Sequence, residues 1–130
     1  MASIHLSSPS GYPQLIRART HALRSDEPLD AGGTDTGPAP YELLLAALAS
    51  CTSLTLRMYA DRKQWHLGEI KVNARFFRDE SGEEKVTREV LIEAALSEEQ
   101  QQRLAEICEK TPVTKTLKRA LAISTSLRGG

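Results

Sequence analysis

GGTDTGPAPYELLLAALASCTSLTLRMYADRKQW, residues 32–65, decides how the rest of the chain is read. It opens inside DEPLDAGGTDTGPAP (26–40), whose density of Gly, Pro and Asp is loop chemistry. Pro38 and Pro40 suit the start of a helix, where a missing N–H costs little. Thr36 or Asp35 is placed to cap it. Nothing then interrupts a helix from about Tyr41 to Lys63. Its first half, LLLAALA, is apolar all round, which predicts burial on every side. Its second half, LRMYADRKQW, becomes charged and amphipathic, and the chain turns near Gln64 to Gly68.

On the N-terminal side, Gly11 to Arg24 reads as one or two strands. Leu15, Arg17 and Arg19 share one face of the alternation, with Ile16 and Ala18 on the other. On the C-terminal side, Glu69 to Arg78 alternates with Ile70, Val72, Ala74 and Phe76 on one face. DESGEE (79–84) then reads as a hairpin turn around Gly82. Glu84 to Leu96 is the return strand, with Val86, Arg88, Val90 and Ile92 facing one way. The many charges on both strands suit an antiparallel sheet with one wet face. Ser97-Glu-Glu-Gln100 is a capping box. The helix it starts carries Leu104, Ile107, Cys108 and Thr111 on its inner stripe, and Pro112 breaks it. Thr111 is placed to cap a further turn bearing Val113, Leu117 and Leu121. Ala122 to Leu127 alternates and reads as a final strand. The order of elements predicts an α+β fold with helices packed on a sheet, built as a single domain over residues 1–130.

The totals exclude several classes. The 130 residues suit one domain, and 40% apolar with 26% charged residues is a soluble globular composition. Lys plus Arg balance Asp plus Glu at 17 each, so no net field draws nucleic acid or an anionic membrane. The basic stretch Lys110, Lys115, Lys118 and Arg119 lacks interleaved aromatics and reads as a solvated face. The longest apolar run, Leu43 to Ala49, is short of a membrane span. The polar, Ser-rich Met1 to Gly11 shows no secretory signal, so a cytoplasmic protein is expected.

Cys51 leads the candidate chemistry. Ser50, Thr52, Ser53 and Thr55 surround it, a polar cluster straight after the apolar run. Their hydroxyls are placed to hydrogen-bond a thiolate or a substrate oxygen. In mid-helix, far from the helix N-terminus, a reactive thiol needs a nearby cation. The competing reading is a packed structural cysteine, and it is stronger for Cys108, which lies on an ordinary core stripe. Asp35-Thr36-Gly37 is a lone triplet where an aspartic protease needs two facing carboxylates. AGGTDTG lacks the Gly-Lys-Ser/Thr ending of a phosphate loop. His5, His21 and His66 have no metal-ligand spacing. Neither a metal nor a cofactor is expected. The Leu127-Arg-Gly-Gly130 tail matches ubiquitin-type modifiers over four residues, but a long apolar helix before a hairpin does not suit a β-grasp.

Residues 32–65 resemble the OsmC/Ohr superfamily, the osmotically inducible and organic hydroperoxide resistance proteins. The shared pattern is a Gly-rich loop, Pro, an acidic residue, an apolar helix start and a central Cys. HALRSDEP (21–28), EICEKTPVTKTL (106–117) and ISTSL (123–127) look like the short bacterial branch of that family. The resemblance implies an intertwined homodimer, with antiparallel sheets wrapped around a long buried central helix and active sites at the dimer interface. It implies a thiol-dependent peroxidase acting on a small hydrophobic hydroperoxide through Cys51, which becomes a sulfenic acid and is restored through a second Cys and a dithiol reductant. No nucleic acid or membrane partner is implied.

The family's second Cys begins a Cys-Pro-Val motif, which here reads Thr111-Pro112-Val113. Cys108, one helical turn earlier, is the candidate resolving thiol. The peroxidase branch has Asn-Pro-Glu where this chain has Ala39-Pro40-Tyr41. Glu42, one residue on, lies about 100° further round the helix. The resemblance makes Glu42 a candidate catalytic carboxylate, with Tyr41 as the alternative occupant of the Glu position; Tyr41, and Thr52 and Thr55 by their hydroxyls, are candidate substrate contacts. The activating arginine is expected to be Arg19, with Arg17 and Arg24 as alternatives. An alternative reading is a non-catalytic binding or regulatory member of the same fold that has lost the resolving cysteine.

Overall fold

The computed structural model describes all 130 residues. They form two compact units, residues 1–46 and 47–130. Together they give a mixed α+β fold of two antiparallel sheets and three helices.

The first unit holds a three-stranded antiparallel sheet in the order β1-β2-β3, with β1 at His5–Ser7, β2 at Gln14–Ala18 and β3 at His21–Ser25. Strand β1 lies in the segment read as merely polar and Ser-rich, and it pairs Leu6 with Ile16. The β2–β3 hairpin pairs Ala18 with His21. Arg19 therefore makes the tight turn, at φ 54, instead of extending the strand face expected for it.

Beyond β3 the chain folds around Asp26. This carboxylate, 2% exposed, accepts hydrogen bonds from Thr34 Oγ1 (2.7 Å), from the backbone N–H and Oγ1 of Thr36 (3.0 and 2.7 Å), and from the Glu27 N–H (2.7 Å). A single 3-10 turn, Leu29–Ala31, sits inside the loop. At Gly33 a Cβ would collide with the Glu27 carbonyl and the Asp26 carboxylate, so the loop closes only over a glycine. Of Thr36 and Asp35, the two residues expected to cap the next helix, Thr36 has its hydroxyl committed to Asp26. The carboxylate of Glu42 instead reaches back to the Ala39 N–H at 2.8 Å.

Helix α1 runs from Pro40 to Lys63. Its length and composition alone would let it cross a membrane, a test that the core helix of a globular protein also passes. The expected burial on every side is not met within the chain. Burial follows one stripe, Leu48, Thr52, Leu56, Tyr59 and Ala60, at the spacing of a single helix face. Leu44, in that apolar first half, is 37% exposed, and Leu54 and Met58 further along are 54% and 61% exposed. One sheet can cover only one side of a helix.

The second unit packs that stripe on a hairpin. Strands β4 (Ile70–Arg78) and β5 (Glu84–Ile92) pair antiparallel, placing Ile70 opposite Ile92, Val72 opposite Val90, and Ala74 opposite Arg88. The hairpin tip turns at Gly82, φ 87. Asp79 Oδ1 accepts from the backbone N–H groups of Ser81 and Glu83 there. The return strand ends at Ile92, short of Leu96. Gly68, φ 70, lies where a side chain would meet Glu93, whose carboxylate accepts the Glu69 N–H.

Helix α2 (Glu98–Cys108) starts with the capping box formed by Ser97 and Gln100. Leu56, Tyr59, Ala60, Leu67 and Leu104 form the core, with Trp65, Ile92, Ile107 and Cys108 packed against it. The Trp65 indole meets the Tyr59 ring edge-on at 5.7 Å. Helix α3 (Pro112–Arg119) follows Pro112 at its first position. Residues 120–130 form no strand. Ile123 and Leu127 are 85% and 89% exposed. The alternation expected to make a final strand is present, but a strand requires the hydrogen bonds of a neighbouring edge.

Candidate functional site

In the second unit one guanidinium, that of Arg88, bonds both to Thr52, the neighbour of Cys51 in α1, and to the backbone of Cys108. Cys51 and Thr52 are successive residues of α1, so their side chains point about 100° apart. Thr52 lies on the buried stripe and is fully buried. Its hydroxyl donates to the Leu48 carbonyl at 2.7 Å and accepts from Arg88 Nη1 at 2.9 Å. Cys51 is partly buried on the flank of that stripe, with its Sγ 4.0 Å from the Thr55 hydroxyl. The hydroxyl cluster read from the sequence therefore divides. Thr55 attends the thiol, and Thr52 attends a cation.

Arg88 was not among the expected site residues. It rises from β5 with its side chain 12% exposed, opposite Ala74, whose small side chain leaves room across the strand pair. Nη1 also donates to Thr114 Oγ1 at 2.9 Å, and Nη2 donates to the Cys108 carbonyl at 3.0 Å and to Glu109 at 3.3 Å. All four terminal N–H groups thus have acceptors. Thr114 is in turn 2.6 Å from the hydroxyl of Thr111, which is fully buried. Thr111 stands at the N-cap of α3, but its hydroxyl makes no capping bond. Its carbonyl, accepting from the Lys115 N–H, carries on the helix ladder. At the expected second-cysteine position, then, the chain has a buried pair of hydroxyls.

Cys108 ends α2 as a free thiol, as is Cys51. Burial pushes the Cys108 thiol up from its ordinary range, against the opposing pull of the Arg88 charge and with a further push from Glu109. The Glu109 carboxyl is held low, chiefly by its hydrogen bond from Lys118 and also by the charges of Lys118 and Arg88. Cys108 lines a cleft of about 470 Å³ with Leu56, Val90, Leu96, Leu104 and Arg88, and Cys51 is not part of its wall.

The remaining candidates belong to the first unit. Arg17, Arg19 and Arg24 are exposed there, Arg19 in the β2–β3 turn. Glu42 is engaged at the start of α1, and Tyr41 precedes it, 48% exposed. No three of the His, Cys, Asp and Glu side chains gather as a metal site.

A half-buried helix cysteine, a hydroxyl beside it and a largely buried cation bonded to the next residue of the helix make a candidate thiol site. Residues 33–126 match the family model described as OsmC-like protein. The chain belongs to that family. Among curated proteins none matches the sequence. Among solved structures, an OsmC-like protein from Mycoplasma pneumoniae superposes with a TM-score of 0.77 at 17% identity, over 91% of this chain and 87% of that one. The organic hydroperoxide resistance protein OhrB of Bacillus subtilis gives a TM-score of 0.61 at 23% identity, over 91% and 90%. An organic hydroperoxide resistance protein OsmC from Legionella pneumophila gives 0.67 at 18% identity, over 91% and 89%. These likenesses extend the shared fold across nearly the whole chain, including strands that lie outside the matched family segment.

Proposed function

We propose that this protein is a thiol-dependent peroxidase that reduces organic hydroperoxides through Cys51. The observation that carries the reading is the placement of Cys51, half-buried beside Thr55 on the turn of α1 that Arg88 holds through Thr52. In the reaction the Cys51 thiolate attacks the outer oxygen of the hydroperoxide. An S–O bond forms, the O–O bond breaks, and the alcohol leaves with a proton, so Cys51 becomes a sulfenic acid while the peroxide is reduced. A thiol or dithiol reductant returns Cys51 to the thiol. Thr55 is proposed to orient the peroxide, and Tyr41, Glu42 and Arg19 are proposed as further site residues contributed at the interface of a homodimer. The exposed Leu54 and Met58 on α1, together with Leu121, Ile123 and Leu127, supply the apolar surface such an interface needs. The chain then acts as one domain within the dimer, in the cytoplasm.

The test is consumption of cumene hydroperoxide in the presence of dihydrolipoamide, with sedimentation run alongside for the dimer. Wild-type turnover that disappears in Cys51→Ser supports the reading; turnover undiminished by that change overturns it.

A second reading is favoured by one feature. The hydroxyls of Thr111 and Thr114 fill the position where a resolving thiol would stand, which suits a binding or regulatory member that has lost turnover. A Cys51 thiol left unmodified by stoichiometric hydroperoxide would establish that reading in place of the first.

A further inference from the structure

Both cysteines hang from the same buried cation. Cys51 is bonded in sequence to Thr52, the acceptor of Arg88 Nη1, and the carbonyl of Cys108 is itself the acceptor of Nη2. We propose that Arg88 is a positioning residue that holds the two thiols apart, so that the Cys51 sulfenic acid is reduced directly by an external thiol. The inference rests on the reading of Cys51 as the peroxide-reducing thiol.

The guanidinium is a rigid planar fork. With its terminal N–H groups on Thr52, Thr114, Cys108 and Glu109, it fixes α1, the end of α2 and the start of α3 in one arrangement. Thr52 is pinned inward, so Cys51 is turned aside toward Thr55. The Cys108 thiol opens instead into a cleft whose walls exclude Cys51. A disulfide needs Cβ atoms about 4 Å apart and aimed at each other. On this proposal, reaching that geometry requires α1 to roll or the last turn of α2 to unwind. Either motion removes an acceptor from a mostly buried charge, which is unfavourable. One turn further on, Thr111 offers a buried hydroxyl and no sulfur. Burial also keeps Cys108 in its protonated form, a poor nucleophile.

The external route balances without Cys108. A first thiol attacks the sulfenic sulfur, forming a mixed disulfide and releasing water. A second thiol attacks that disulfide, freeing the Cys51 thiol and leaving the two reductant sulfurs oxidised to a disulfide. Small aliphatic thiols and dithiols are the reductant class.

The experiment uses the full chain as wild type, Arg88→Gln, Thr114→Val and Cys108→Ser. Each receives one equivalent of cumene hydroperoxide without reductant, then dimedone and N-ethylmaleimide, and is read by non-reducing peptide mass spectrometry. Wild type is expected to carry dimedone on Cys51 and maleimide on Cys108. The Cys51–Cys108 disulfide is expected to rise on the order of tenfold in Arg88→Gln and Thr114→Val, the scale of one charge-assisted hydrogen bond. Cys108→Ser is expected to keep wild-type turnover with glutathione or dihydrolipoamide. Thr114→Val keeps its shape, so it decides the matter should Arg88→Gln fail to fold. Prompt disulfide in wild type, no disulfide in Thr114→Val, or lost turnover in Cys108→Ser overturns this inference alone. A Cys51 that no variant oxidises overturns the peroxidase reading and this inference with it.

Discussion

Thr52→Val removes one oxygen from the centre of the second unit and little else. The side chain is fully buried, the two residues have nearly the same volume, and their helix propensities are close. What changes is the hydroxyl. Arg88 Nη1 loses an acceptor at 2.9 Å, on a side chain only 12% exposed. The Leu48 carbonyl loses the hydroxyl donor but keeps its place in the helix ladder. A hydrogen bond to a charged group contributes about 1.5–3 kcal/mol. The added methyl group returns about 0.8 kcal/mol of burial. The net loss is about 1–2 kcal/mol. With a urea m-value of about 2 kcal/mol/M, the midpoint of a far-ultraviolet circular dichroism melt falls by about 0.5–1 M. Heat denaturation moves down by about 3–6 °C. The cycle closed with Arg88→Met and the double variant is expected to show a coupling of about 1 kcal/mol or more. An unchanged midpoint, or zero coupling, would refute the claim that this hydroxyl anchors the cation.

Three further outcomes are expected. Leu56→Ala empties a fully buried position in the core and is expected to cost about 2–5 kcal/mol in a urea melt. Gly68→Ala forces a side chain onto a left-handed backbone at φ 70 and into Glu93, and is expected to lower stability by about 1–3 kcal/mol in the same melt. Asp26 governs the acid limb of stability. Burial alone would raise its carboxyl, but the hydrogen bonds from Thr36, Thr34 and Glu27 outweigh it and hold the group well below the carboxylate range. A carboxyl lowered by folding stabilises above its unfolded pKa of about 3.9 and loses that contribution as pH falls further toward the folded value. Stability measured from pH 7 to pH 2 is expected to drop below about pH 4, and Asp26→Asn is expected to be less stable at pH 7 with a shallower fall.

Long-range pattern made most of the fold legible. The uninterrupted run from Tyr41 to Lys63, the alternation of Ile70, Val72, Ala74 and Phe76, and the Ser97–Gln100 box each point to one local structure, and each forms. What escaped depended on partners. Strand β1 has three residues and no alternation of its own; it exists because Leu6 finds Ile16. Residues 122–127 carry the alternation but no edge to join. The apolar start of α1 signals burial without saying what does the burying.

The site divides the same way. Cys51 stood out because polar residues crowd it in an apolar helix. Arg88 did carry a signal, a charge between Val86 and Val90 on the inward face of a strand. An inward charge demands acceptors, and Thr52, Thr114 and the Cys108 carbonyl supply them from positions 36, 26 and 20 residues away along the chain. No local reading of the sequence joins segments so distant.

The edge-on contact between Trp65 and Tyr59 has a practical consequence. Trp65 is the single tryptophan, and it packs against the core of the second unit. Its fluorescence therefore reports residues 47–130 from within. Excitation at the red edge of the absorption band follows the unit that bears both thiols, with no label attached and neither cysteine altered.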